Sequence, residues 1–333
     1  MTQLIVIGLS AVVMAVRDGE ALVLTVRPLE AATGKASRLA GLPFGPFDPE
    51  GHRTFELALR AFVTAQTQFD LGYVEQLYTF GDKGRDAPLA DVGAGGARVI
   101  SVGYLGLTPL PIETTAPDTD WSSVWRYFPW EDWRGGRPDL IDASIAPALR
   151  LWAQAGRGDE PVQRHDRARD LFALEGAAWN EDRVLDRYEL LYEAGLAAES
   201  GRDRDRAWGL DSAQPSQLSP AFGEPMLSDH RRILATALGR LRGKMKYRPV
   251  VFELTPPTFT LSELQRTVEA VAGVKLHKQN FRRMLDRTGL VEGIGRFDVE
   301  TGGRPAELFR FRRERLQNRS ALGISLPLIR EGI

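Results

Sequence analysis

Residues 258–290 read TFTLSELQRTVEAVAGVKLHKQNFRRMLDRTGL, and their spacing marks two helices with their stops. Thr260 with Glu263 three residues on has the spacing of a capping box, and Gly273 and Gly289 stand where left-handed C-terminal caps belong. One helix is expected from Thr260 and a second from about His277, with a short turn between. On the second, Phe281, Met284, Leu285 and Thr288 recur at helical period and form one apolar face, leaving Gln279, Arg282, Arg283, Asp286 and Arg287 on the other. That outer face is mostly basic and amide-bearing. It suits a helix laid in a DNA groove: Arg282, Arg283 or Arg287 can bridge two acceptors on guanine, Gln279 or Asn280 can pair with adenine, and Lys278 at the N-terminal end can reach phosphate or base.

Working outward, LVEGIGRFDVETGGRPAELFRFRR over residues 290–313 reads as a hairpin with Phe309 and Phe311 alternating inward. Arg296 and Arg304 flank its glycine-bearing tip, a place for backbone phosphate. Upstream, VVFEL at 250–254 is strand-like and closed by Pro256-Pro257. Helix, helix, hairpin is the order of a winged helix-turn-helix. Residues 245–320 carry 15 Lys and Arg against 9 Asp and Glu, a balance of +6, whereas residues 131–225 carry 12 against 19, or −7, with no lysine. A basic unit joined to an acidic one points to a polyanion partner for the tail, here double-stranded DNA. The bland alternative is a solvated basic surface on a small helical subdomain.

The 333 residues, 43% apolar and 26% charged, suit two or three packed units. The absence of cysteine excludes disulfides, thiolate metal sites and cysteine nucleophiles, and four scattered histidines argue against a histidine metal cluster. His165 and His230 have no partners at metal-ligand spacing. The apolar opening LIVIGLSAVVMAV, residues 4–16, contains Gly8 and Ser10 and follows no basic region. It reads as a buried strand rather than a signal or membrane anchor, so a cytoplasmic protein with no membrane partner is expected. Strands are expected at 4–16, 21–27 and 98–107, and one helix at about 55–67.

All seven tryptophans fall between Trp121 and Trp208, where DASIAPALRLWAQAG and DRVLDRYELLYEAGLAA have helical spacing. This block reads as packed helical core, with a ligand lid or a dimer surface as alternatives. SGRDRDRAWGLDSAQPSQLSPAFGEP, residues 200–225, reads as a linker. The following HRRILATALGRLRGK joins the two ends of the chain, its apolar face of Ile233, Leu234, Ala237, Leu238 and Leu241 packed inside or across a dimer.

Residues 42–68, LPFGPFDPEGHRTFELALRAFVTAQTQ, resemble the frame of the metal-binding box of Nudix pyrophosphohydrolases. Leu42-Pro43-Phe44-Gly45 opens it and Arg60 takes the arginine place, with one residue inserted before the helix. Hydrolysis of a pyrophosphate needs a hard cation held by several carboxylates. The glutamate places of that box are Ala61, Thr64 and Ala65 here, and Glu50 and Glu56 do not rebuild the cluster. The expectation is therefore no catalytic residue, no metal and no required cofactor. The stretches YVEQLYTFGDKGRD, ARVISVGYLGL, SDHRRILATALGRLRGKMKYRPVVFELTPPTFTLSELQRTVEAV, NFRR and GGRPAELFRF are similar to the Nudix-related transcriptional regulators, the NrtR-like family. The resemblance covers about residues 1–130 and 226–315. It implies a dimeric DNA-binding repressor of NAD synthesis or salvage genes, with NAD, ATP or ADP-ribose as effector. Extra helical sequence at 131–225 and the degenerate box resemble the longer, alphaproteobacterial NadQ-type branch.

The expected fold is α+β: a Nudix-like α/β/α sandwich over 1–130, a helical Trp-rich insertion and linker over 131–225, a connecting helix over 226–246 and a winged helix-turn-helix over 247–320. For the effector, Arg27, Arg38 and Arg98 are candidates for pyrophosphate, Phe44 or Phe47 for stacking an adenine, and Asp82 or Asp86 for ribose hydroxyls, with Arg85 a further candidate contact. The loop TFGDKGRD is expected to line the cleft. The rival reading from another class is a hydrolase with relocated acids (Glu50, Glu56, Asp82), acting on nucleotides or RNA.

Overall fold

The computed structural model describes residues 5–28, 37–68, 70–82, 85, 98–109, 116, 118–207, 219–298 and 305–316. At its front, β1 (Ile5–Arg17) is the backbone of a mixed sheet with β2 (Glu20–Val26), β3 (Phe44–Pro46), β4 (Tyr73–Phe80), β5 (Arg98–Leu107) and β6 (Thr119–Ser123), in the order β4-β5-β1-β2-β6, with β3 also on β1. β1 runs parallel to β5 along Ile5–Met14. On its other edge it pairs first with β3 through Gly8–Ser10 and then with β2 through Met14–Arg17. The β1–β2 connection is Asp18-Gly19, at φ 54° and 75°, the two left-handed residues of the tight hairpin turn that matches strand twist.

The two faces of β1 follow its period of two. Leu9, Ala11 and Val13 pack on α1 (Phe55–Thr67) through Ala58, Leu59 and Val63. Val12 and Met14 turn the other way, into a cluster that contains Ile233, Leu234 and Leu238 of α6 (His230–Met245). The second helical layer of the sandwich is thus the helix the sequence suggested as a connector, and its apolar face is buried within the chain. A strand at Tyr73–Phe80 and a polar one at Thr119–Ser123 add to those legible in the sequence.

The insertion consists of α2 (Ala146–Gln154), entered through a π-turn at Ile141–Ile145, followed by α3 (Glu160–Phe172), α4 (Val184–Glu193) and α5 (Ala198–Ala207). Trp130, Phe128, Phe172 and Tyr188 are buried in it, in one apolar cluster that extends from Val12 of the sheet to Leu290 of the tail. α5 corrects the expected linker over residues 200–207. Beyond Ala198, its inner face is made of Glu199 and Asp203, one turn apart. Glu199 accepts from Arg231 (3.3 Å) and from the Met226 amide (3.0 Å), and Asp203 accepts from the Tyr192 hydroxyl (2.7 Å).

Three fully buried charges tie the insertion to α6. Glu131 receives Arg187 through Nε (2.5 Å) and Nη2 (3.0 Å), and Arg242 through Nη1 (2.6 Å). Arg242 Nε also donates to the Val271 carbonyl at 3.0 Å, near the end of α7 (Leu261–Ala272). Burial pulls the Arg242 guanidinium below its ordinary value, while Glu131 opposes that pull.

In the tail, α7 carries the expected capping box: Thr260 Oγ1 accepts the Glu263 amide and Glu263 accepts the Thr260 amide. α8 (Lys278–Thr288) follows, then the hairpin β8 (Val291–Asp298) and β9 (Ala306–Phe311), with β7 (Thr258–Thr260) as a third strand on β9. VVFEL is a 3-10 helix at Val250–Leu254 rather than a strand. Its four apolar side chains are all buried, and Phe252 stacks on Phe311 at 4.0 Å. A continuous apolar run fits either reading by periodicity, and packing decided it.

Candidate nucleic-acid interface and effector cleft

α8 buries Phe281, Met284 and Leu285. Lys278, Gln279, Asn280, Arg282, Arg283, Asp286 and Arg287 are all exposed. None of its four cations has an ion pair among the described residues, whereas Arg310 and Arg312 of the hairpin are held by Glu292. Unpaired guanidinium groups on a rigid, exposed helix are available to phosphates and base edges without first breaking a contact. The turn before α8 is fixed: Glu269 accepts the Leu276 amide at 2.9 Å and Gln265 donates to the Leu276 carbonyl at 3.0 Å. On the wing, Arg296 and Phe297 are exposed, and Arg304 lies outside the described residues.

In the front domain, a cleft of about 480 Å³ opens between the end of β2, β3 and α1, lined by Arg27, Phe44, Phe62, Gln66, Asp118 and Thr119 among others. Gly45 is needed there, since a Cβ would come within 2.8 Å of the Phe62 ring. Gln66 brackets the Phe44 backbone, accepting its amide at 3.1 Å and donating to its carbonyl at 2.5 Å. Beneath it, His230 sets its ring edge-on to Phe44 at 5.1 Å and accepts the Leu42 amide on Nδ1 at 3.0 Å.

Burial, with a smaller contribution from Arg202, pushes His230 down to about 3. A histidine with a depressed folded value binds its proton in the unfolded chain first, so stability falls as pH drops from about 6.5 toward 3. The expected result is that the stability difference between the wild type and His230→Gln shrinks across that window in urea titrations at several pH values. A difference independent of pH contradicts the buried neutral imidazole.

Of the effector candidates singled out in the sequence, Arg27 and Phe44 meet in this cleft, and the other described ones stand elsewhere. Arg38 is exposed. Phe47 packs on Phe55 at 4.6 Å. Arg98 donates to the Gly81 carbonyl at 2.8 Å. Asp82 accepts from Arg232 of α6 at 2.5 Å, and Arg85 lies over the Tyr192 ring at 3.8 Å while paired with Glu189 and Asp229. Burial raises Asp229 to about 6 against the pull of both arginines. Asp82 and Arg85 are thus fastened to α4 and the start of α6 rather than turned to the cleft. Asp86 lies outside the described residues.

Along α1, Ala61, Thr64 and Ala65 are exposed. Arg60 holds Glu56 at 2.9 Å and donates to the carbonyls of Leu71 and Gly72, and Thr64 donates to Asp70 at 2.9 Å. Among the described residues no group of three or more His, Asp or Glu is placed to hold a metal ion, and no helix is long and apolar enough to cross a membrane.

A sandwich of this kind, joined by its own second helix to a winged helix with a bare basic face, defines a class by its fold: a Nudix-like domain coupled to a winged-helix domain. Residues 251–311 match the model of the NrtR DNA-binding winged helix domain. The ADPR responsive transcriptional repressor NtrR of Acinetobacter baylyi is 41% identical over 94 residues, which are 28% of this chain and 37% of that repressor. Over 95% of this chain and 99% of the other, the fold is similar to that of Shewanella oneidensis NrtR, alone (TM-score 0.53) or complexed with a 27mer DNA (0.51), at 19% identity. A MutT/nudix family protein from Enterococcus faecalis is similar at a TM-score of 0.50 and 14% identity, over 94% of this chain and 88% of its own. The expected pairing of a Nudix-like fold with an NrtR-type winged helix is what these comparisons support.

Proposed function

We propose that this chain is a transcriptional repressor of NAD synthesis or salvage genes. It binds a double-stranded DNA operator as a homodimer in the cytoplasm and is switched by a nucleotide held in the front cleft. The observation that carries this reading is the unpaired basic face of α8 inside the NrtR-matching domain. ADP-ribose is the first effector to test, because the Acinetobacter relative is ADPR responsive; NAD and ATP share its adenosine and charged phosphates. Arg27 pairs with a phosphate and Phe44 or Phe62 stacks the base.

The front domain senses without hydrolysing, since alanine at two glutamate places and threonine at the third supply no carboxylate. Against the relocated acids of the rival reading, Glu56 is bound by Arg60 and Asp82 by Arg232, and among the described residues no three acids are placed to hold a metal ion. The longer, NadQ-type branch remains the proposed affiliation, on the strength of the insertion.

Calorimetric titration with ADP-ribose, NAD and ATP tests the cleft. Arg27→Ala is expected to weaken the preferred nucleotide by roughly 1.5–3 kcal/mol, as for a hydrogen bond to a charged group, and Phe44→Ala by about 0.5–1.5 kcal/mol. Unchanged affinity in both variants moves the effector out of this cleft. Metal-dependent release of AMP from ADP-ribose, abolished by Glu56→Gln, establishes the hydrolase instead.

A further inference from the structure

The insertion's first turn touches both halves of the molecule. Arg134 donates to the Gly19 carbonyl at the tip of the β1–β2 hairpin, to Glu20 at 3.0 Å and to Asp132 at 2.7 Å. Glu20 is fixed from its other side by the Ser123 hydroxyl. One residue before Arg134, the Trp133 amide donates to the Gly273 carbonyl at 2.7 Å. Gly273 is the left-handed cap of α7 at φ 71°, and a Cβ there would strike the Glu131 carbonyl and Arg242. The four-residue run 131–134 therefore grips the sensor hairpin with one side chain and the end of α7 with its backbone.

Each grip leads to a functional end. From Gly273 only residues 274–277 intervene before α8, and that turn is pinned by Glu269 and Gln265. Where the α7 cap is placed, the recognition helix follows. From Glu20, β2 runs through six buried residues to Val26, and Val26 and Arg27 line the effector cleft. A seven-residue strand spans about 23 Å at 3.3 Å per residue. The hairpin tip also lies against α7 directly, beside Arg266, across a groove of about 420 Å³ lined by Arg17, Gly19, Leu254, Pro256 and Arg266 among others. Arg134 thus ties the tip to the segment that holds the α7 cap, on a path separate from that groove.

We infer that Arg134 is the positioning residue that couples the front cleft to the recognition helix, locking the β1–β2 hairpin to the segment that holds the α7 cap. The insertion is then the coupling block of the regulator rather than bulk added between its halves. The inference rests on the nucleotide-switched repressor reading above for what is transmitted, and on the contacts alone for what is held.

Two measurements on the full chain separate these. In hydrogen exchange without any ligand, Arg134→Gln is expected to raise exchange about tenfold at residues 17–20 and 271–277 together, leaving the rest of the protein unchanged. Arg134→Lys, which can still reach one carboxylate, restores part of the protection. No change at either segment, or a uniform rise over the whole chain, overturns the positioning role. In operator binding, Arg134→Gln is expected to keep the ADP-ribose affinity within about twofold while the ratio of operator affinities with and without ADP-ribose falls at least about fivefold, the low end of ordinary coupling. A ratio that survives the substitution, or a parallel loss of both affinities with the ratio intact, overturns the coupling. A wild-type protein indifferent to ADP-ribose contradicts the choice of effector instead, and the exchange experiment still decides whether Arg134 positions the reader.

Discussion

Glu131→Gln is expected to lower the unfolding free energy by about 3–5 kcal/mol, the usual cost of breaking a buried ion pair from one side. Glu131, Arg187 and Arg242 are fully buried, and the Glu131 carboxylate pairs with both guanidinium groups. With a neutral amide in its place, two buried cations would lose the counter-charge they share, leaving Arg242 only the weaker pull of Glu181. Backbone carbonyls satisfy part of each: Arg187 donates to the carbonyls of Asn180 (2.9 Å) and Leu171 (3.3 Å), and Arg242 to those of Val271 and Glu181, each at 3.0 Å. Arg187 also lies 3.8 Å over the Trp179 ring. These contacts orient the guanidinium groups but do not neutralise them. Urea denaturation followed by tryptophan fluorescence measures the loss; a change under about 1 kcal/mol contradicts the buried triad. Because the triad joins the insertion, α6 and the α7 end, the loss is expected in a single cooperative transition, with operator binding lost along it.

The second large effect concerns α8. Arg282→Ala or Arg283→Ala is expected to cost about 1–3 kcal/mol on specific operator DNA and to relax discrimination at the base pair each reads. Arg296→Ala on the wing, by contrast, is expected to weaken all sequences alike and to reduce the slope of log affinity against log salt by about one unit. Both α8 variants are expected to keep wild-type stability, since their side chains are exposed and unpaired among the described residues. Measured by fluorescence anisotropy at several salt concentrations, specific affinity unchanged in both α8 variants removes that helix from the role of reader.

The tail was legible because its signals are local. Capping residues, glycine stops and the Phe281, Met284, Leu285 face all lie within one or two turns of what they determine. The cleft was half legible: Arg27 and Phe44 are strand-end residues of recognisable chemistry, but Phe62, Gln66, Asp118 and His230 come from segments that only the fold assembles. Charge was the least readable property. Asp82 and Arg85 have the right groups for a ribose and a phosphate, yet their partners Arg232, Glu189 and Asp229 lie 104 to 150 residues away. α5 escaped for a related reason, since beyond Ala198 its buried face is built of Glu199 and Asp203 and shows no apolar period.

The central claim, that a nucleotide in the front domain sets the DNA affinity of the tail, is tested most directly by a gel shift. The purified chain is titrated against a DNA fragment from upstream of its own gene and against fragments upstream of NAD synthesis genes, at fixed salt, with and without ADP-ribose, NAD and ATP. The account predicts a specific shift on at least one fragment that one nucleotide changes by several-fold and that Arg282→Ala weakens. A specific shift indifferent to every nucleotide, or no specific shift on any fragment, contradicts it.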